Sequence, residues 1–165
     1  MIEFESRFAR LMAGVSERMH GVKRNEGSFE ELAESYLELV SKARRSVHTT
    51  FSFLPPEFFM NQELLAKIRS LKEQNGEVEV VTKQTSQGQS LEVLDALAET
   101  GATIYLNQGY IKHQPFTILD GKDLVVHHSN LRLTDVEQIY VPDTIYISKY
   151  ITDFNELKRN SLTLE

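Results

Sequence analysis

The sequence predicts an α/β fold in which helices layer over a mixed β-sheet. Three observations point there. Stretches with apolar residues at helical spacing alternate with short runs in which apolar and polar residues alternate one by one. The order strand, helix, strand, helix, strand suits parallel strands joined by crossover helices. Two short strands then flank Asp120-Gly121, a pair favoured in hairpins, so an antiparallel part is expected as well.

The elements follow in chain order. Phe4, Phe8, Leu11, Met12, Val15 and Met19 recur at helical spacing and predict an N-terminal helix. "HGVKRNEGS" breaks that pattern and reads as a linker, which divides the chain into 1–27 (helix and linker) and 28–165 (the α/β domain). Ser28 is the expected N-cap of a second helix, with Glu31 completing a capping box. Phe29, Leu32, Tyr36, Val40 and Ala43 form its apolar stripe. Val47, Thr49, Phe51 and Phe53 face one way along a strand, with His48, Thr50 and Ser52 opposite, and Pro55-Pro56 ends it.

Leu64, Leu65, Ile68 and Leu71 predict a helix, and "EVEVVT" from Glu77 a strand. "SQGQS" is a loop whose Ser90 caps a helix through Leu91, Leu94, Leu97 and Ala98. Gly101 stands where a left-handed C-terminal residue belongs. "ATIYL" is a strand, Phe116 to Leu119 and Leu124 to His128 make the hairpin, and "EQIYV" is a last strand. Asp143 caps a final helix carrying Ile147, Tyr150, Ile151, Phe154 and Leu157 on one face.

Composition narrows the function. The chain has 165 residues, enough for one real core. A formal net charge of -6 argues against a general electrostatic grip on nucleic acid. No Cys is present, which excludes disulfides and thiolate chemistry. No apolar run is long enough for a membrane span. The first residues lack the charged start and apolar block of a signal peptide, so a cytoplasmic protein is expected.

The chemistry concentrates in "KHQPFTILDGKDLVVHHSN", Lys112 to Asn130. This segment resembles the signature of the phospholipase D superfamily: His-x-Lys, four residues, Asp, six residues, Gly-Ser-x-Asn. His113, Asp120 and Asn130 fall at the His, Asp and Asn positions. Pro115 stands at the Lys position, and His127 and His128 at those of Gly and Ser. The resemblance covers roughly residues 30 to 160. It implies a layered α/β/α phospholipase-D-like domain with a mixed sheet, preceded by N-terminal helices.

The resemblance also implies a mechanism. In such proteins one histidine attacks phosphorus to form a phosphohistidine, and a second, from another motif copy, protonates the leaving oxygen. Lys and Asn hold the non-bridging oxygens, and the carboxylate orients its histidine. With one motif copy, the two-histidine site requires a homodimer in which two His113 side chains approach. His113, Asp120 and Asn130 are therefore the candidate catalytic residues. His128, Ser129 and Lys112 are candidate ligand contacts, with His128 offering a hydrogen bond in place of the family Ser.

The departures weigh against turnover. Losing one oxyanion donor costs about 3–4 kcal/mol in typical active sites, and a two-fold site loses two lysines at once. His127 adds bulk where the family has Gly. The adjacent His127 and His128 point to opposite strand faces and cannot readily chelate together, although His113, His128 and Asp120 could in principle hold a metal. No metal or other cofactor is expected.

The leading expectation is a degenerate, catalytically impaired module for binding, dimerisation or regulation, with a remnant phosphate-type pocket. Degenerate versions of this fold serve as effector domains in archaeal sugar-responsive transcription regulators. The second reading is an active homodimeric phosphodiesterase of nuclease or phospholipase type, using His113. The third is a structural partner-binding domain without a pocket. The expected partners are a second copy and a phosphate-containing ligand or protein. Nucleic acid is possible but gains no support from the net charge.

Overall fold

The computed structural model describes residues 23–84, 91–109, 114–129, 136–141 and 146–164. The Phe4–Met19 stripe and the expected caps Ser90 and Asp143 lie outside the described residues.

Strand β1 (Lys23–Gly27) leads into helix α1 (Phe29–Ser41) and strand β2 (Ser46–Phe51). Helices α2 (Pro56–Phe59) and α3 (Gln62–Glu73) precede β3 (Glu77–Lys83). Helix α4 (Leu91–Glu99), strand β4 (Thr103–Asn107) and the hairpin β5 (Phe116–Leu119) and β6 (Asp123–Ser129) follow. Strand β7 (Val136–Val141), helix α5 (Ile147–Arg159) and strand β8 (Ser161–Thr163) complete the order.

The strands form one sheet in the order β1-β7-β6-β5-β2-β3-β4-β8. β2, β3 and β4 run parallel, and every other pairing is antiparallel. The expected mixed sheet is therefore present. Parallel neighbours need crossovers, which α3 and α4 provide.

Two apolar cores flank the sheet. One lies under α1 to α4 and includes Tyr36, Phe51, Phe58, Phe59, Leu119 and Val125. The other lies under α5 and includes Phe116, Ile118, Leu124, Val126, Phe154 and Leu157. Each large apolar side chain buried this fully stabilises the fold by about 1.5–3 kcal/mol. Helix α1 starts as its sequence dictates: Ser28 Oγ accepts from the Glu31 amide, and the Glu31 carboxylate accepts from the Ser28 amide.

Two expectations change, and one further strand is present. Residues 23–27, read as linker, are an edge strand paired with β7, so the sheet begins before residue 28. This strand is almost wholly exposed, so it carries no alternating apolar signal. The short tail strand β8 pairs with β4 and was hidden for the same reason. Phe53, placed in a strand with Phe51, lies beyond the end of β2 and is half exposed. Among the described residues, no helix is long and apolar enough to cross a membrane.

Candidate functional site

The β5–β6 hairpin sits inside the sheet, between β2 and β7. Its turn uses the chemistry that the Asp-Gly pair offers. Asp120 (φ 55°) and Gly121 (φ 67°) both adopt left-handed backbone, and the Lys122 amide donates to the Leu119 carbonyl. Leu119 pairs with Asp123, so the loop holds three residues.

Asp120 is consumed by this architecture. Its carboxylate accepts from the backbone amides of Arg44 (2.9 Å), Arg45 (2.6 Å) and Ser46 (2.9 Å), in the loop that feeds α1 into β2. Its own amide donates to the Ser46 carbonyl. Partial burial raises the Asp120 pKa, but these three amides and the nearby Lys122 charge outweigh it and hold the carboxyl below its ordinary value. Arg44 and Arg45 of the basic run thus act here through their backbone amides.

The other end of the hairpin carries the signature's departures. The β5–β6 register pairs Phe116 with Val126, which sets Pro115 opposite His127. The His127 amide donates to the Pro115 carbonyl at 2.8 Å. Pro115 has no amide with which to reciprocate, a loss tolerated here because it stands just before β5 begins. Opposed residues share a sheet face, so the Lys and Gly positions of the signature are neighbours on the side of α1.

His127 fills that side. Its imidazole is fully buried, with ring centroids 5.5 Å from Tyr36, 5.2 Å from Phe51 and 5.5 Å from Phe58. Among the described residues, neither ring nitrogen finds a hydrogen-bond partner. Burial alone pulls its pKa down to about 3, so the ring is neutral. Gln138, its cross-strand partner on β7, is equally buried, and its amide is also unpartnered among the described residues.

Below His127 lies a small polar network. The Tyr36 hydroxyl lies 3.0 Å from Thr117 Oγ1, and Thr117 Oγ1 lies 2.6 Å from Thr49 Oγ1. Burial pushes the Tyr36 hydroxyl pKa up, with the two threonine contacts opposing. Tyr36 therefore bridges the helix layer and the hairpin: its ring stacks on Phe58 at 4.5 Å and its hydroxyl anchors to β5 and β2.

The candidate residues distribute as follows. His128 is half-buried on the α5 face, with Leu124 and Val126, and stands opposite Glu137 on β7. Ser129 ends β6. Asp120 and His128 lie at opposite ends of the hairpin, about 17 Å apart along the strand. They cannot share an ion, which removes the His113–His128–Asp120 metal reading. His113, Lys112 and Asn130 lie outside the described residues.

The fold itself has close counterparts. The structure resembles Nuc from Salmonella typhimurium, a phospholipase D family member, with a TM-score of 0.69 at 12% identity over 87% of this chain and 97% of that one. This chain has the phospholipase D fold. NucT from Helicobacter pylori matches over 87% of this chain and 99% of its own, with a TM-score of 0.66 and 15% identity. TrmBL2, an archaeal chromatin protein with a novel mode of DNA binding, matches 98% of this chain but 64% of its own (TM-score 0.64, 11% identity). No protein-family model and no curated protein matches the sequence. The phospholipase-D-like fold is thus carried by shape, with the identity too low to carry activity across.

One cluster escapes a motif search. His48, Glu77 and Glu79 converge on the α5 face. The signal was strand alternation: His48 on β2 and Glu77 and Glu79 on β3 are the polar positions of "VHTTF" and "EVEVV", brought together by parallel register.

Proposed function

We propose that this chain is a phospholipase-D-like domain that binds and dimerises rather than cleaves. The observation that carries the reading is the paired exchange at Pro115 and His127. Where the family signature has a cation opposite a residue without a side chain, this chain has an apolar ring opposite a buried neutral imidazole. The oxyanion-holding charge is gone, and the aromatic cage around His127 occupies the neighbouring volume.

What remains is a remnant phosphate-type pocket at the end of β5 and β6 away from Asp120. His113 and Asn130 line it in the proposed arrangement, with Lys112, Ser129 and His128 at its rim. Two copies meet with their His113 side chains facing across a two-fold axis. Asp120 supports the site from a distance, by locking the hairpin to the α1–β2 loop. That TrmBL2, a DNA-binding chromatin protein, shares the fold over nearly the whole of this chain supports a binding use of the fold.

The experiment joins two measurements on one preparation. Light scattering coupled to gel filtration is expected to give a dimer, and calorimetry with vanadate or tungstate to give binding that falls at least tenfold in His113→Ala. A chromogenic phosphodiester is expected to show no turnover above the His113→Ala background. Turnover abolished by His113→Ala would instead favour the second reading, an active phosphodiesterase, which the retained His113, Asp120 and Asn130 spacing supports. A monomer that binds no oxyanion would sink both readings.

A further inference from the structure

We propose that His48, Glu77 and Glu79 form a binding site for a divalent transition-metal ion of the zinc type, on the α5 face and apart from the pocket discussed above. His48 Nε2 lies 2.8 Å from Glu77 Oε1 and 3.4 Å from Glu79 Oε1. One ligand atom from each residue falls within a sphere where all are no more than 4.8 Å apart. Zinc takes His nitrogen and carboxylate oxygen at about 2.0–2.2 Å, so tetrahedral donors stand about 3.4 Å from one another. The His48–Glu79 separation already meets that spacing. Glu77 is more than half exposed and can yield the few tenths of an ångström its contact needs.

The surroundings support ligation as well as ion pairing. Glu79 is only 9% exposed, deep for a carboxylate on a central strand. Its Oε2 accepts from the Tyr105 hydroxyl at 2.7 Å and from Lys158 Nζ at 2.7 Å. That leaves Oε1 aimed at His48 with its direction fixed, as outer-sphere partners fix the ligands of metal sites. The Phe154 ring lies over the His48 imidazole at 5.2 Å and 30°, which restrains its plane. Counted with the neutral imidazole that a metal requires, two carboxylates face one ammonium. One negative charge is left for a cation to balance.

The donor set selects the metal. One imidazole and two monodentate carboxylates suit zinc, cobalt or nickel, whereas magnesium and calcium prefer all-oxygen shells. Three protein ligands leave a fourth position for water.

Untagged protein, stripped with a chelator, would be titrated with zinc chloride by calorimetry at pH 7, and its melting followed with and without zinc. The expected result is one zinc per chain, with a melting temperature raised by zinc and restored by chelator. Glu77→Gln and His48→Gln should each weaken binding at least tenfold, and Tyr105→Phe by about tenfold through loss of the outer-sphere hydrogen bond. Glu77 is exposed, so its variant is expected to fold. Magnesium should give no heat. The absence of zinc binding overturns the proposal. So does zinc bound with unchanged affinity by Glu77→Gln and His48→Gln, which would place the ion elsewhere. Neither result bears on the oxyanion experiment.

Discussion

Pro115 and His127 face each other across the β5–β6 ladder, joined by one hydrogen bond from the His127 amide to the Pro115 carbonyl at 2.8 Å. The energetics of His127 follow from the cage. His127 contributes packing like a small aromatic but buries two nitrogens that find no hydrogen-bond partner among the described residues. His127→Phe removes the two polar nitrogens in exchange for a somewhat larger ring, and relief of their desolvation should stabilise the fold by about 1 kcal/mol. His127→Gly empties the cage, at a cost of about 3–5 kcal/mol. Urea unfolding of the two variants checks the signs. A destabilised His127→Phe would mean that the cage cannot take the larger ring or that the imidazole has a polar partner.

The same residue sets an acid limit. In the unfolded chain the imidazole takes up a proton near 6.5, whereas burial holds off protonation in the fold until about 3. The unfolded state therefore binds more protons between these values. Stability from this site is fully present above about pH 6.5 and falls as pH drops toward 3, by as much as about 4–5 kcal/mol. Asp120 and Glu79, both held below their ordinary values, add their own acid-side losses. Comparison with His127→Phe isolates the histidine. The stability gap between variant and parent should widen from pH 7 to pH 4, and a constant gap would refute the assignment.

The legible parts of this fold were those with a packed face. Helix α1 announced itself through the Ser28–Glu31 box and the Leu32, Tyr36 and Val40 stripe, and the hairpin through Asp120-Gly121 between apolar strands. Strands β1 and β8 gave no signal because edge strands can hold register by backbone bonds alone while their side chains stay in water. The site was legible as spacing, not as placement. Motif distance shows neither that Asp120 turns to the Arg44–Ser46 amides nor that Pro115 opposes His127, because both depend on register between distant segments. The His48 cluster needs the β2–β3 pairing for the same reason.

Asp120 gives a third prediction. Its carboxylate satisfies three backbone amides while its backbone holds φ at 55°. Asp120→Ala loses the acceptors and places a less tolerant residue in left-handed backbone. The expected cost is about 2–3 kcal/mol. Asp120→Asn keeps one oxygen and the tolerance for that backbone, so it should cost about half as much. Chemical denaturation reads both. Hydrogen exchange at Arg44, Arg45 and Ser46 should accelerate in Asp120→Ala, and unchanged exchange would show that other groups protect the loop.

Lys158 and Glu79 give the fourth. Burial raises the Glu79 pKa, and the bonds with Lys158, Glu77 and Tyr105 together outweigh it, leaving the carboxyl below its ordinary value. A carboxylate of this kind contributes stability above its unfolded pKa, and that stability is lost as pH falls through the folded value. Lys158→Met removes the larger opposing contact, so burial would then dominate and the Glu79 pKa should rise. The variant should lose about 1–2 kcal/mol at pH 7, less than a fully buried pair because Lys158 is about a third exposed. That deficit should shrink as pH falls below the ordinary carboxylate value, where the unfolded chain and the variant take up a proton that the parent's fold still resists. Urea midpoints at pH 7 and pH 3.5 decide it. An equal deficit at both would assign the loss to the packing of the Lys158 stem over Tyr105, where Nζ lies 5.2 Å from the ring centroid, rather than to charge.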